Sequence, residues 1–243
     1  MGSYQSFAKH YDLLMRDCDY EQWSQFLIEE LSINGIRNSS KGLDLACGTG
    51  MITERLSESG FCMIGIDNSP EMLNIAEERK RKKSNPIYVL QDISSFLISG
   101  QVDFVTCICD GVNYLSPTKV KMMFDNVYMT LKSGGVLIFD ISSEFKLKEI
   151  ISNNVFVCDD EVVSYIWTNK LLKDKVVMSL TFFEKSAELY NRFGEEHVQY
   201  IYSEAYLKAL LLSTGFSSVK TFDGYKKKIT GSKSKRILFE VVK

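Results

Sequence analysis

LDLACGTG (43–50) closes one apolar run and opens a helical one. Gly48 and Gly50 let the backbone turn tightly and approach a ligand with no Cβ in the way. In an open parallel sheet such a turn lies beyond the strand carboxyl ends, where ligands bind. A glycine pair alone says little, because many strand–helix turns carry one. Two carboxylates give it company. Asp67 ends the next apolar run about twenty residues on, where it can accept both hydroxyls of a ribose. Asp92 ends the third, in Gln91–Asp92–Ile93, where a carboxylate can receive an adenine amino group. Each alone could be a turn-forming aspartate. Three successive strand ends with suitable polar groups point instead to a nucleoside cofactor.

A dinucleotide fingerprint, G-x-G-x-x-G, wants a third glycine where Thr53 stands. Tyr128 and Lys132 have the Tyr-x-x-x-Lys spacing of short-chain hydride-transfer enzymes. They end the helix leading into Ser133–Gly134–Gly135, on the far side of the sheet from the strand carboxyl ends.

The elements that must carry these groups alternate short apolar runs with helical stretches, as in βαβ units with a parallel sheet. Runs at 42–47, 61–66, 86–91, 102–109 and 135–141 read as strands, several apolar on both faces as strands covered by helices should be. Ser69 can cap the second intervening helix, with Pro70 at its first position and Glu71 in its first turn. That helix ends in the basic run Arg79–Lys83, read as a solvated C-terminus answering the helix dipole rather than a nucleic-acid patch. Tyr20, Trp23, Leu27 and Leu31 recur at helical spacing before the first strand and stop at Asn34–Gly35. Residues 154–202, rich in Val, Tyr, Phe and Thr, read as antiparallel strands inserted over one edge of the core. They break at Lys173–Lys175 and again around Asn191–Gly194. Ser203 then caps a helix with Leu207, Leu210 and Leu211 on one face, closed by Gly215. Final strands follow near 217–222 and 235–242, with Lys226–Lys228 on a hairpin between them.

The whole chain sets the bounds. Its 243 residues are one to two domains' worth, 45% apolar and 25% charged, with a formal charge of −2. That balance argues against a dedicated nucleic-acid binder. No apolar run is long enough for a membrane helix, and the start, MGSYQSFAKHYD, has no signal-peptide core. Six cysteines without a CxxC pair suit a reduced, cytoplasmic protein. Cys107 and Cys109 read as two core residues on one strand face. With two histidines only, His10 and His197, no metal site is expected.

LDLACGTG, GIDNSPEM (65–72), QDI (91–93) and LKSGGVLIFDI (131–141) resemble the successive motifs of class I S-adenosylmethionine-dependent methyltransferases. FAKHYDLLMRDCDYEQW (7–23) and HVQYIYSEAYLKALLLSTGF (197–216) resemble the bacterial small-molecule branch, which includes the sugar-amine N-methyltransferases. The resemblance implies a doubly wound α/β fold whose seven-stranded, mostly parallel sheet has an antiparallel last strand. It implies S-adenosylmethionine as cofactor, with S-adenosylhomocysteine as product. Asp44, Ala46, Cys47, Gly48 and Gly50 would meet the methionine side, and Asp67 the ribose. Asn68 and Met72 would flank the adenine, and Gln91, Asp92 and Ile93 would meet its edge. Cys109 and Asp110 would lie near the sulfonium, and Tyr11 would close over the cofactor. Cys47 departs from the family, which often has glycine there.

Methyl transfer from a sulfonium is an in-line displacement, so the protein's main work is alignment and exclusion of water. An amine acceptor needs no base, while a hydroxyl does. By pKa the candidate base is His197, the alternative being a histidine on an exposed strand. Tyr11 and Tyr114 could orient a substrate or simply pack. No Asn/Asp-Pro-Pro-Tyr/Phe motif follows the fourth strand, where Cys109–Tyr114 stands, and no Pro-Cys nucleophile occurs. The expectation is one domain. It comprises a helical cover (1–40), a cofactor core (41–142), a β insertion (143–202) and a last helix with two strands (203–243). Trp167, Phe182, Phe183, Tyr200 and Tyr202 of the insertion could line an acceptor pocket, pack as a satellite core or form a dimer surface. The function expected is methylation of a nitrogen or oxygen of a small molecule. A nicotinamide (NAD-type) oxidoreductase, an RNA methyltransferase and a catalytically silent binding module are the rivals; monomer and homodimer both stay open.

Overall fold

The structure is a computed structural model that describes residues 8–82 and 84–243. The first seven residues of the expected cover, with Phe7 of its motif, and Lys83 of the basic run lie outside the described residues. The chain opens with α1 (Ala8–Leu14) and α2 (Tyr20–Ile33). Next come β1 (Lys41–Leu45), α3 (Met51–Glu58), β2 (Cys62–Asp67), α4 (Pro70–Arg79), β3 (Ile87–Leu90) and β4 (Val102–Cys107). After α5 (Pro117–Thr130) and β5 (Leu131–Ser142) lie four strands: β6 (Val155–Cys158), β7 (Val163–Leu171), β8 (Lys175–Ser186) and β9 (Leu189–Tyr200). The helix α6 (Glu204–Thr214), β10 (Ser218–Asp223) and β11 (Arg236–Val242) complete it.

Seven strands form one sheet in the order β10-β11-β5-β4-β1-β2-β3. Only β11 runs against its neighbours, β5 and β10, as the family resemblance implied. β5 shows why the strands read as apolar on both faces: every residue from Gly135 to Ser142 is buried. Phe139 packs with Leu43, Phe124 and Leu207 on one side of the sheet. Its neighbour Ile138 packs with Leu27, Leu31 and Phe104 on the other. Each such side chain contributes about 1.5–3 kcal/mol by burial. β5 starts at Leu131 rather than 135, because Gly134 and Gly135 exchange backbone bonds with Lys243 at the chain's last residue.

The helix starts follow their caps. Ser69 accepts the Met72 N–H with Pro70 at the first position, and Ser203 accepts the Tyr206 N–H. Tyr128 and Lys132 face away from the strand carboxyl ends: Tyr128 packs on Phe216, and Lys132 pairs with Asp103 at 2.6 Å.

The remaining strands form an antiparallel sheet, β6-β7-β8-β9. The turn at 172–174 is where the charged run placed it. No break occurs at Asn191–Gly194; β9 runs through it, with Gly194 opposite Thr181, and the turn falls at Ala187–Glu188. Twelve paired positions along β8 outweigh the local turn preference of Asn and Gly. Asn113, in the turn Gly111–Tyr114 after β4, fastens this sheet to the first by donating to the Tyr200 and Ser142 carbonyls. Val163 and Phe182 pack against Tyr11, Leu13 and Leu14 of α1. The small sheet and the first helix therefore form one cover above the strand ends.

Candidate active site

The backbone is strained where β1 and β4 end side by side. Ala46 has φ 53°, and Cys109 and Asp110 have φ 64° and 54°. Left-handed conformation costs a residue with a side chain roughly 1–2 kcal/mol, and such strain gathers at functional sites. Gly48, at φ 54°, avoids that cost, and a Cβ there would meet nothing within 4 Å. The turn therefore presents bare backbone to open space. Cys109 consequently lies past the end of β4 instead of sharing a strand face with Cys107, which is in the core.

Asp67 holds the turn from the end of β2. Its Oδ2 accepts the Gly48 N–H at 2.9 Å and its Oδ1 the Ser69 N–H at 2.9 Å. Each oxygen keeps a lone pair, so the carboxylate can still receive a vicinal diol. Burial pushes its carboxyl up, against the pull of those backbone bonds. Asp44, deeper on β1, accepts the hydroxyls of Thr53 at 2.5 Å and Thr106 at 2.7 Å. Burial dominates there too and raises it to about 6.

A cavity of about 260 Å³ opens beside these groups. Met72, Asn68, Ile93 and Leu115 line it together with Asp67, Asp92 and Gly48. Asp92 accepts the Ser94 N–H and hydroxyl at 2.8 and 2.7 Å and the Lys119 ammonium at 2.7 Å. Burial alone would raise it, but those bonds outweigh burial and hold it below the usual carboxylate range. Gln91 departs from expectation. Its amide clamps both backbone groups of Leu97 and takes no part in the cavity lining. A small cavity of about 30 Å³, lined by Asp44, Cys47 and Tyr20, shares Tyr11, Ala46, Gly48 and Cys109 with it.

The cover is tied down over this turn. Asp12 of α1 accepts the Thr49 hydroxyl at 2.6 Å and pairs with Arg79, whose Nε donates to the Thr49 carbonyl at 2.9 Å. Arg79 is thus a latch and not a solvated helix end. Its neighbour Lys80 pairs with Glu77 and Arg81 with Glu58. On the far hairpin, Lys227 pairs with Glu29 and Glu30.

Tyr11, Cys109 and Tyr114 border the cofactor-sized cavity and also a second one, of about 300 Å³, beneath the small sheet. Its lining combines apolar Trp167, Met178, Leu180 and Phe182 with polar Asp110, Lys146, His197, Gln199 and Arg236. Arg236, on β11, bridges Asp110 at 2.8 Å and the fully buried Asp140 at 2.6 Å. Asp140 also accepts the backbone N–H of Asp110 at 2.6 Å and the Tyr225 hydroxyl. Burial would raise Asp110, but Arg236, Lys146 and the Gln199 amide at 2.6 Å hold it low. Burial pushes the Tyr11 phenol well up, so it stays protonated at working pH.

His197 is buried, not on an exposed strand face. Its ring stands edge-on to Tyr114 at 5.9 Å, and Nε2 lies 3.4 Å from Glu195. Of the aromatics expected in the wall, Trp167 and Phe182 are there. Phe183 alternates to the other face of β8, and Tyr202 is buried in the main core with its hydroxyl on the Leu115 carbonyl at 2.5 Å. Tyr200 packs against that core as well. Lys119, Lys146, Gln199 and Arg236 escaped sequence reading. Only a buried position on an otherwise apolar strand could have marked Arg236, and nothing local marks the others. Among the described residues no group of His, Cys, Asp and Glu could hold a metal ion, and no helix is long and apolar enough to cross a membrane.

Known proteins match this architecture. A family model described as a methyltransferase domain matches residues 43–135. YqeM of Bacillus subtilis, named as a methyltransferase, is 36% identical across 99% of this chain and 97% of its own. A crystal structure of an S-adenosylmethionine-dependent methyltransferase from Clostridium acetobutylicum superposes with a TM-score of 0.90 at 38% identity, over 99% of both chains. KedS8, a sugar N-methyltransferase from Streptoalloteichus, shares the fold with a TM-score of 0.79 at 18% identity, over 96% of this chain and 92% of its own. The cleft fits S-adenosylmethionine: bare backbone at Gly48, a diol-accepting Asp67 and the apolar side chains of Met72, Ile93 and Leu115 for a purine. The chain belongs to the class I S-adenosylmethionine-dependent methyltransferases.

Proposed function

We propose that this enzyme methylates a nitrogen or oxygen of a small-molecule acceptor held in the cavity beneath the small sheet. The observation that carries the reading is the shared border: Tyr11, Cys109 and Tyr114 line both cavities. A reacting pair could meet there, shut from water by α1 and the β insertion. Asp67 would hold the ribose, Met72, Ile93 and Leu115 the adenine, and Asp44 with the Ala46–Gly48 backbone the amino-acid end. Bound there, S-adenosylmethionine supplies a methyl group already activated by its positive sulfur.

The chain's own contribution is alignment and desolvation. Tyr11 and Tyr114 flank the passage and orient the acceptor. His197, steadied by Glu195 and standing against Tyr114, would take the proton of a hydroxyl acceptor. An amine would need only its lone pair. The sugar N-methylating neighbour with the same fold supports a small acceptor. Six free cysteines support a cytoplasmic setting, and the pairing of both basic runs with acidic side chains leaves no strong case for nucleic acid.

The test is turnover with methyl-deuterated S-adenosylmethionine against small amines, amino sugars, amino acids and hydroxylated aromatics, read by mass spectrometry. Label on a nitrogen or oxygen of such a compound is the expected result. Label confined to a carbon atom or to RNA would overturn the proposal.

A further inference from the structure

The lining of the second cavity holds three groups whose hydrogen-bonding capacity their neighbours leave unmet. Lys146 reaches only the Ser142 hydroxyl, at 3.1 Å. The nearby carboxylates are committed elsewhere. Asp110 gives one oxygen to Arg236 and the other to Gln199, and Asp140 serves Arg236, Tyr225 and the backbone of Cys109 and Asp110. Among the described residues, no carboxylate forms an ion pair with Lys146. The buried indole N–H of Trp167 finds no acceptor among the described residues, and the buried amide oxygen of Gln199, a residue only 4% exposed, finds no donor among them. Lys146 and Trp167 border this cavity and not the cofactor cavity, so the cofactor's own carboxylate would not reach them.

A half-buried ammonium held by one hydroxyl is poorly compensated. Burial lowers its pKa by more than the attraction of Asp110 restores. Two donors lining one cavity, one of them cationic, call for an acceptor-rich anionic group, and an ammonium with an indole N–H suits a carboxylate. The apolar part of the lining, with Met178, Leu180 and Phe182, calls for an apolar body. The single unmet acceptor, Gln199 Oε1, calls for an N–H or O–H on the ligand.

From this arrangement we infer that the acceptor is an amphipathic carboxylic acid. Its carboxylate sits between Lys146 and Trp167, its apolar or aromatic body lies against Leu180 and Phe182, and an amine or hydroxyl meets Gln199. The inference rests on the methyltransferase reading of the two cavities and narrows its substrate class.

The experiment titrates the protein, saturated with S-adenosylhomocysteine, with hydrocinnamate and separately with its neutral amide. The acid should bind about tenfold more tightly than the amide. Lys146→Met should bring the two to parity while leaving the affinity for S-adenosylhomocysteine unchanged, and Lys146→Arg should keep the preference. Should Lys146→Met fail to fold, the wild-type ratio and a loss of acid affinity in Trp167→Phe decide. Equal binding of acid and amide, no binding of either, or a preference that survives Lys146→Met would overturn the inference and leave the methyltransferase reading standing. Failure of S-adenosylhomocysteine to saturate the protein would overturn both.

Discussion

Asp12 accepts the hydroxyl hydrogen of Thr49 at 2.6 Å, so the first helix is fastened to the glycine turn itself. Arg79 closes the ring by pairing with Asp12 and donating to the Thr49 carbonyl. The cover and the backbone that faces the cofactor are therefore mechanically one unit.

That ring predicts how the cofactor leaves. The Asp12–Arg79 pair is partly exposed, so its loss should cost the fold only about 1 kcal/mol. Asp12→Ala should leave the melting temperature within a few degrees of wild type. It should also speed S-adenosylhomocysteine release by several-fold and raise amide hydrogen exchange across residues 8–14. Stopped-flow dissociation measures the first effect; an unchanged off-rate would dissolve the latch.

Asp67 should matter for cofactor affinity beyond its part in holding the turn. Replacing it by Ala removes a charged, two-point contact to the ribose hydroxyls worth roughly 1.5–3 kcal/mol. Calorimetry should show cofactor binding weakened by about ten- to a hundredfold. Wild-type affinity in Asp67→Ala would mean the ribose lies elsewhere.

Asp44 predicts a pH dependence. Burial raises its carboxyl to about 6, so it is charged above that pH and neutral below it. The negative form favours the cationic amino group of the cofactor, so affinity should fall as pH drops through 6, by about tenfold. In the protein without cofactor the sign reverses. The folded state holds this proton more tightly than the unfolded chain, so stability declines as pH rises from about 4 to 6. Asp44→Asn should flatten both steps. A step that persists in Asp44→Asn would belong to another group, the first to examine being Asp67, which burial also raises.

Much of this site was legible because its carriers are local. Asp67 ends β2, and Gly48 and Asp92 closely follow β1 and β3, strands that announce themselves by their apolar runs; the strand order then brings the three together. The misses have the opposite character. Gln91 adjoins Asp92 just past β3, yet its amide binds the backbone of Leu97 instead of facing the cavity. Arg236 meets Asp110 only because β11 inserts antiparallel between β10 and β5. Lys146 and Gln199 join the same cavity because a second sheet folds back over the first. Such long-range pairings leave no trace in spacing.

Arg236 also carries the sharpest stability prediction. It neutralises two buried carboxylates, Asp110 and Asp140, and removing a partner from a buried pair typically costs 3–5 kcal/mol. Arg236→Met should lower the melting temperature by roughly 6–20 °C. Thermal unfolding followed by circular dichroism checks it; a loss of two degrees or fewer would show that Asp110 and Asp140 do not depend on this charge.

Tyr11, Cys109 and Tyr114 are where the cofactor cavity and the acceptor cavity meet. A crystal structure with S-adenosylhomocysteine bound tests it most directly. The predicted result has the ribose hydroxyls on Asp67 and the thioether sulfur at that border, facing the cavity that holds Lys146 and Trp167. A sulfur turned away from that cavity, or a ribose bound away from Asp67, would contradict it.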